Sequence, residues 1–192
     1  MSKKGNPILT LGSLNIAGGK RQTEDFYATD PIALEKLLKY ETFNHNVWEN
    51  ACGNGSLSNV LELHGYDVKN SDIVKRADLP NFEIIDFLDW NDVNTRDIIT
   101  NPPYTKVNEF LRHALDVSVD GTKICMILRL TFLEGQKRFE QIFKTDPPKK
   151  IYVFSKRILM AKDGIVPKGS AVAYAWYIWE KGWKGNPEIF WL

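Results

Sequence analysis

The sequence predicts an α/β protein built on a mainly parallel sheet. Three observations carry this. Short apolar runs alternate with segments whose apolar residues recur at helical spacing. The first of these runs, "NVWENACGNG", breaks into a glycine turn just before a helix, the connection that nucleotide-binding α/β sheets use. Two late runs, "KKIYVFSKRILM" and "SAVAYAWYIWEKG", have no clear helix between them. A parallel pair needs a long crossover, so these two imply an antiparallel edge on the C-terminal side.

The elements follow in order. Residues 1–20 are rich in lysine and glycine with little periodicity, and are expected to be a flexible arm ahead of one domain over 21–192. In "TDPIALEKLLKY", Asp30 caps a helix, Pro31 suits its first position, and Leu34, Leu37 and Leu38 form an apolar stripe. "SLSNVLELHG" reads as a helix stopped by Gly65. "YDVKNSDI", "FEIIDFLDW" and "RDIITNPPY" read as the second, third and fourth strands, the last closed by its prolines. "VNEFLRHAL" puts Val107, Phe110, Leu111, Ala114 and Leu115 on one helical face. "TKICMILRLTF" is a buried strand, and "QKRFEQIFK" is helical through Phe139, Ile142 and Phe143. "SAVAYAWYIWEKG" is expected to form a hairpin with "PEIFWL".

Bulk composition excludes several classes. Apolar content of 43% and charged content of 26% are those of a soluble globular domain. A net charge of +1 means that any grip on phosphate comes from a local patch. Cys52 and Cys125 both lie in apolar runs and read as reduced core thiols of a cytoplasmic protein. No apolar run reaches 18 residues, and "MSKKGNPIL" lacks an apolar leader core, so neither a membrane span nor a signal peptide is expected. His45, His64 and His113 share no metal-ligand spacing with one another or with the cysteines, so no metal is expected. Trp176, Trp179, Trp183 and Trp191 crowd the C-terminus and read as core and hairpin packing, an exposed one marking a dimer contact. A monomer or a homodimer fits.

The glycine turn points to a nucleoside-containing cofactor. Gly53 and Gly55 let the backbone turn tightly and approach a ligand. Asp72 ends the next strand 17 residues after Gly55, a spacing from which an acid reaches ribose hydroxyls. Ser58 stands where a dinucleotide fingerprint needs its third glycine. Glu49, just ahead of the turn, would repel a pyrophosphate but can face an ammonium group. S-adenosylmethionine, with an amino acid tail, a sulfonium and no phosphate, suits this turn better than NAD. An ordinary strand–helix turn also carries such glycines.

The second motif is "NPPY". By chance such a tetrapeptide turns up in well under roughly one chain in a hundred of this length, with proline near 5% of residues. It falls at the carboxyl end of a strand, where open α/β sheets bind ligands. The Asn101 side-chain oxygen and the Pro102 carbonyl can accept the two hydrogens of an amino group on a flat ring. That draws the nitrogen toward a tetrahedral shape and frees its lone pair. Tyr104 can stack on the ring. A proline-stopped strand with a packing tyrosine is the plainer reading.

Together, "ENACGNGSLS" and "NPPY" resemble the cofactor and catalytic motifs of the class I S-adenosylmethionine-dependent methyltransferases, specifically those that methylate adenine N6 in DNA. "DFYATDPIALEKLL" resembles the segment that precedes the cofactor strand in small phage-borne members. The resemblance runs from about Asp25 to the end. It implies a Rossmann-like sandwich with a mostly parallel seven-stranded sheet and an antiparallel C-terminal edge. It further implies that Gly53, Asn54 and Gly55 line the cofactor's methionine part, that Ala51 also binds the cofactor, and that Glu49 lies near its ammonium. Asp72 would bind the ribose, Asp86 and Phe87 would contact the adenine, and Tyr27 and Thr29 would close the methionine end. Asn101, Pro102, Pro103 and Tyr104 would form the catalytic corner, with Asn101 also touching the cofactor. Asn50 stands where these enzymes often carry proline.

The chemistry expected is a direct in-line displacement in a bacterial or phage-infected cell. Neither motif supplies a serine or cysteine nucleophile with a nearby base. The substrate adenine must be flipped out or already single-stranded. Residues 146–168 hold Lys149, Lys150, Lys156, Arg157, Lys162 and Lys168 with a local balance of +4, interleaved with Tyr152 and Phe154. This stretch is a candidate phosphate contact, or else a solvated basic strand and loop. Lys106, next to the corner, is a further candidate. Roughly 45 residues separate the two motifs, which leaves no space for a large recognition domain. The same chemistry on RNA or on a protein glutamine amide stays open, as does a non-catalytic cofactor-binding accessory protein. Cytosine N4 methylation fits less well, because that activity more often resembles a serine-led motif.

Overall fold

A computed structural model describes residues 27–161, 169 and 171–192. The expected arm over 1–20, and Lys162 and Lys168, lie outside these residues. The chain order is β1 (Ala28–Thr29), α1 (Ile32–Leu37), β2 (Asn46–Glu49), α2 (Ser56–Leu63), β3 (Asp67–Asp72) and β4 (Phe82–Ile84). Then come β5 (Asp97–Thr100), α3 (Val107–Val117), β6 (Lys123–Arg129) and α4 (Gln136–Arg138), which runs on as a π-helical turn over Phe139–Phe143. The last strands are β7 (Lys150–Val153), β8 (Met160–Ala161), β9 (Tyr174–Glu180) and β10 (Glu188–Trp191).

Eight strands form one sheet in the order β10-β7-β9-β6-β5-β2-β3-β4, and β1 pairs with β8 in a separate two-stranded piece. All pairings in the large sheet are parallel except those of β9, which runs antiparallel to both β6 and β7. The mostly parallel α/β sheet with an antiparallel C-terminal part therefore stands. Its eighth strand is β10, which lies parallel to β7 with Ile189 opposite Ile151. The expected hairpin between β9 and "PEIFWL" does not form, because β7 takes the neighbouring position on each of them. "KKIYVFSKRILM" is likewise not one strand: it leaves the sheet after Val153, and Met160 pairs with Thr29. "FEIIDFLDW" is extended only to Ile84, then Asp86 accepts the Leu88 N–H at 3.1 Å and starts a single 3₁₀ turn.

Strand alternation splits the core in two. Cys125 and Ile127 face a cluster with Leu34, Leu37, Leu57 and Leu61 of α1 and α2. Ile124, Met126 and Leu128 face one with Phe110, Leu111 and Ala114 of α3. Burial of each large apolar side chain contributes about 2 kcal/mol. Trp176 and Trp179 anchor opposite faces of β9, whereas Trp191 on the edge strand is exposed. Asp30 Oδ1 accepts the Ile32 N–H at 3.1 Å, the cap expected for α1. In the π-helical turn Ile142 is buried and Phe139 is exposed, so the apolar stripe there is narrower than the spacing suggested. No helix among the described residues is long and apolar enough to cross a membrane.

The strand order reverses between β2 and β5. From β2 the chain moves outward to β3 and β4, then returns to the other side of β2 as β5. At such a reversal the loops leaving the two strands diverge and open a crevice at their carboxyl ends. The glycine turn leaves β2 there, and Asn101 leaves β5.

Candidate active site

One cavity occupies that crevice. Its walls include Glu49 to Cys52 and Asn54 from the glycine turn, Asp72 from β3, Asp86 and Phe87 after β4, and Asn101 to Tyr104 after β5. Tyr27 and Thr29 of the β1 segment and Lys106 close it. The structure thus brings both sequence motifs to one place. Gly53 and Gly55 do not line the cavity; they shape the turn. Both have positive φ, 54° and 79°. The Gly53 N–H donates to Asp72 Oδ2 at 2.8 Å, which ties the turn to the end of β3.

Asp72 is heavily used. Its Oδ1 accepts from Arg76 Nη1 at 2.9 Å and from the Val74 N–H at 3.2 Å. A carboxylate has about four acceptor sites, so capacity for one further donor remains. Arg76 also lines the cavity and was missed from sequence. Its signal was weak: one of two adjacent basic residues, four positions past the acid.

Glu49, the last residue of β2, is buried. Burial pushes its carboxyl up to about 8, against the lowering effect of Ser58 and with help from the charges of Asp72 and Glu62. The Ser58 hydroxyl contacts both Glu49 Oε2 and Asn70 Oδ1. It has one proton for two acceptors. A protonated Glu49 donating to Ser58, which donates to Asn70, satisfies all three. Ser58, noted from sequence only as a missing glycine, is thus the hydrogen-bond partner of the buried acid. Asn50 is buried beside it, with both side-chain polar atoms unpartnered.

Asn101 is fixed from outside its own strand. Its Nδ2 donates to the Tyr27 carbonyl at 2.9 Å and to Thr29 Oγ1 at 3.0 Å, while its Oδ1 is buried without a partner. Among the described residues no backbone hydrogen bond ends on the Pro102 carbonyl, whereas the Pro103 carbonyl accepts the Lys106 N–H at 2.9 Å. Tyr104 is packed against Tyr27 at 5.5 Å and Tyr174 at 6.2 Å, and the Arg129 guanidinium lies 5.0 Å from its ring centre. Burial and the neighbouring Tyr174 push the Tyr104 phenol well above its ordinary value, so it stays neutral. On the opposite wall Phe87 is held edge-on by Trp48 and His113.

The basic stretch divides. Lys149 pairs with Glu180 at 2.7 Å and Lys150 with Glu41 at 2.8 Å, while Tyr152 and Phe154 are core residues. Those four hold the sheet together, since the buried Glu41, the half-buried Glu180 and apolar neighbours claim them first. Lys156 and Arg157 are exposed at the carboxyl end of β7, the end that carries Asn101, and Arg157 Nη1 donates to the Ala171 carbonyl at 2.9 Å. Lys106 is exposed at the cavity rim. Among the described residues no group of three or more histidine, cysteine or acidic side chains is placed to hold a metal ion.

No family model matches the sequence, and no curated protein matches it. Solved structures do match the fold. A protein from Listeria monocytogenes, provisionally described as a class I S-adenosylmethionine-dependent methyltransferase, superposes with a TM-score of 0.59 at 16% identity. The match covers 88% of this chain and 66% of that one, just under two thirds. A predicted O-methyltransferase from Agrobacterium tumefaciens gives 0.54 at 14% identity, covering 84% of each chain. A protein from Lactococcus lactis described as a hemolysin gives 0.57 at 12%, covering 79% of this chain and 87% of that one. The chain therefore has the class I S-adenosylmethionine-dependent methyltransferase fold, a fold that also occurs under other descriptions. Function rests on the site.

Proposed function

We propose that the chain transfers a methyl group from S-adenosylmethionine to the exocyclic N6 amine of adenine in DNA. The observation that carries the reading is the state of Asn101. Both of its amide protons are engaged by Tyr27 and Thr29, so the side chain cannot flip, and its Oδ1 is an unpartnered acceptor. An unpaired buried acceptor is costly unless a ligand uses it. An aromatic amine supplies two N–H donors, one for Oδ1 and one for the Pro102 carbonyl.

The rest of the cavity suits the cofactor. Glu49 faces an ammonium group, Asp72 retains capacity for a ribose hydroxyl, and Asp86 with Phe87 forms the wall for an adenine. Asn50 offers a free amide in the same turn. When bound, S-adenosylmethionine supplies a methyl group already activated by the positive sulfur. The chain's own task is then to align the amine and polarise it. Alignment of this kind is worth up to roughly 7–11 kcal/mol, and fixed acceptors add to it without reorganising. Tyr104 forms an aromatic wall beside the amine. The adenine reaches this corner flipped out or unpaired, since neither acceptor can reach a base within a duplex stack.

The test is methyl transfer from tritiated cofactor to DNA, RNA and protein in parallel, with cofactor binding followed by calorimetry. Label recovered as N6-methyladenine in DNA is expected. Asn101→Ala should abolish transfer and leave cofactor affinity within a few-fold. Label on RNA adenine or on a glutamine amide would move the substrate and keep the chemistry. A bound cofactor with no label on any of the three would overturn the enzymatic reading.

A further inference from the structure

We propose that a second groove, on the far side of Tyr104 from the cofactor turn, binds a backbone phosphate of the substrate strand next to the target base. This rests on the nucleic-acid reading of the cavity. The groove shares Tyr104 and Thr105 with that cavity and runs on past Asn108, Arg129, Phe132 and Arg138. A strand whose base stands at Tyr104 therefore has an open path along it.

Two arginines define the groove. Arg129 ends β6, the strand beside β5, so it sits one strand over from the amine corner. It is exposed, it lies over Tyr104, and no carboxylate among the described residues pairs with it. Arg138 is held firmly. Its Nη1 donates to the carbonyls of Phe132 at 2.8 Å and Glu134 at 2.6 Å, its Nε donates to Asn108 Oδ1 at 3.3 Å, and its guanidinium stacks 4.3 Å from the Phe132 ring centre. None of these bonds uses Nη2. A guanidinium fixed by neutral carbonyls keeps its full charge and a free donor edge, which suits a planar, multi-oxygen anion. Lys106 adds a third cation where the groove meets the cavity, against one acid in the lining, Glu109.

The combination identifies the anion's class. Cations alternating with aromatic rings along a groove is how single-stranded nucleic acid is held, the rings meeting bases and the cations tracking phosphates. Of the basic stretch over 146–168, Lys149 and Lys150 are already paired with Glu180 and Glu41, while Lys156 and Arg157 stay exposed but do not line this groove.

The experiment measures binding of an adenine-containing single-stranded oligonucleotide by fluorescence anisotropy across a salt series. It uses the full chain, Arg129→Gln, Arg138→Ala and the double variant. Each lost phosphate contact should flatten the slope of log K against log salt by about 0.7, so the double variant should lose about 1.4 and bind roughly tenfold more weakly at low salt. Cofactor affinity by calorimetry should stay within threefold, which shows the variants are folded. If Arg138→Ala is unfolded, Arg129→Gln decides alone, because that side chain is exposed. Wild-type affinity and slope in the variants, with the parent chain methylating the oligonucleotide, would overturn the groove and leave the active-site reading standing. A parent chain that ignores nucleic acid and labels a protein amide would overturn the groove and the DNA substrate, and would leave only the methyl-transfer chemistry.

Discussion

Asn101 Nδ2 lies 3.0 Å from Thr29 Oγ1, and these two residues stand 72 positions apart. The hydroxyl holds one amide proton and the Tyr27 carbonyl holds the other, which leaves the amide oxygen free for the substrate amine proposed above. Thr29 is buried, so water does not replace it readily. Thr29→Val keeps the shape and removes the acceptor. A net hydrogen bond is worth about 1 kcal/mol, so turnover should fall about fivefold to tenfold, and by more than any loss of cofactor affinity. Steady-state kinetics with the preferred substrate, alongside calorimetry, checks it. An unaltered kcat would mean that Thr29 does not orient Asn101.

Glu49 should make the cofactor-free protein pH-sensitive. Its carboxyl is raised to about 8 by burial, and the unfolded chain titrates near 4.5. Between those values the folded state holds a proton that the unfolded state has released. Stability from this group is thus complete below about pH 4.5 and is lost as pH rises through about 8. Glu49→Gln should flatten that fall in thermal unfolding curves. It should also weaken cofactor binding, most at pH above 8, where the parent carboxylate is ionised. Calorimetry in buffers of different ionisation enthalpy should detect a proton released when the parent binds cofactor at pH 7.

Glu41 should behave oppositely. It is buried at the amino ends of the strands, with Lys123 Nζ at 2.7 Å, Lys150 Nζ at 2.8 Å and the Tyr152 hydroxyl at 2.9 Å. Burial alone would raise its carboxyl, but the hydrogen bonds from Lys123, Lys150 and Tyr152 outweigh that and hold it below the ordinary value. Its stability is present above about pH 4.5 and is lost as pH falls through the lowered value. Glu41→Gln should cost about 3 kcal/mol at neutral pH in urea unfolding, the lower end for breaking a buried pair, because both lysines keep some contact with water. The difference between variant and parent should shrink in acid.

Gly55 heads α2 with φ of 79°. A Cβ there would stand 2.5 Å from Leu79 Cδ2. The leucine tip can move, but the left-handed backbone cannot be relieved. Gly55→Ala should therefore destabilise by about 1–2 kcal/mol. Adding Leu79→Ala should remove only the contact part of the penalty, read by a double-mutant cycle in urea.

What the sequence made visible was punctuation. The glycines after β2, Asp72 at the end of β3 and the prolines after β5 are local signals, because each acts on backbone within a few residues of itself. They located both halves of the cavity. Partner choice was not visible. Whether β10 pairs with β9 or β7 depends on which edge is free after the rest has packed, and "PEIFWL" reads the same in either place. Lys150 looked like a phosphate ligand because Glu41, its partner, lies 109 positions away. Arg129 passed unnoticed within a strand-like run, although a charge at the carboxyl end of a central parallel strand is a usable sign.

The small β1–β8 pairing has a consequence for dissecting the molecule. Tyr27 and Thr29 contribute nothing to the eight-stranded sheet, so a version shortened to start at Asp30 retains every strand of that scaffold and the whole cofactor turn. What it lacks is the compass needle's pivot: a single amide left at liberty to rotate.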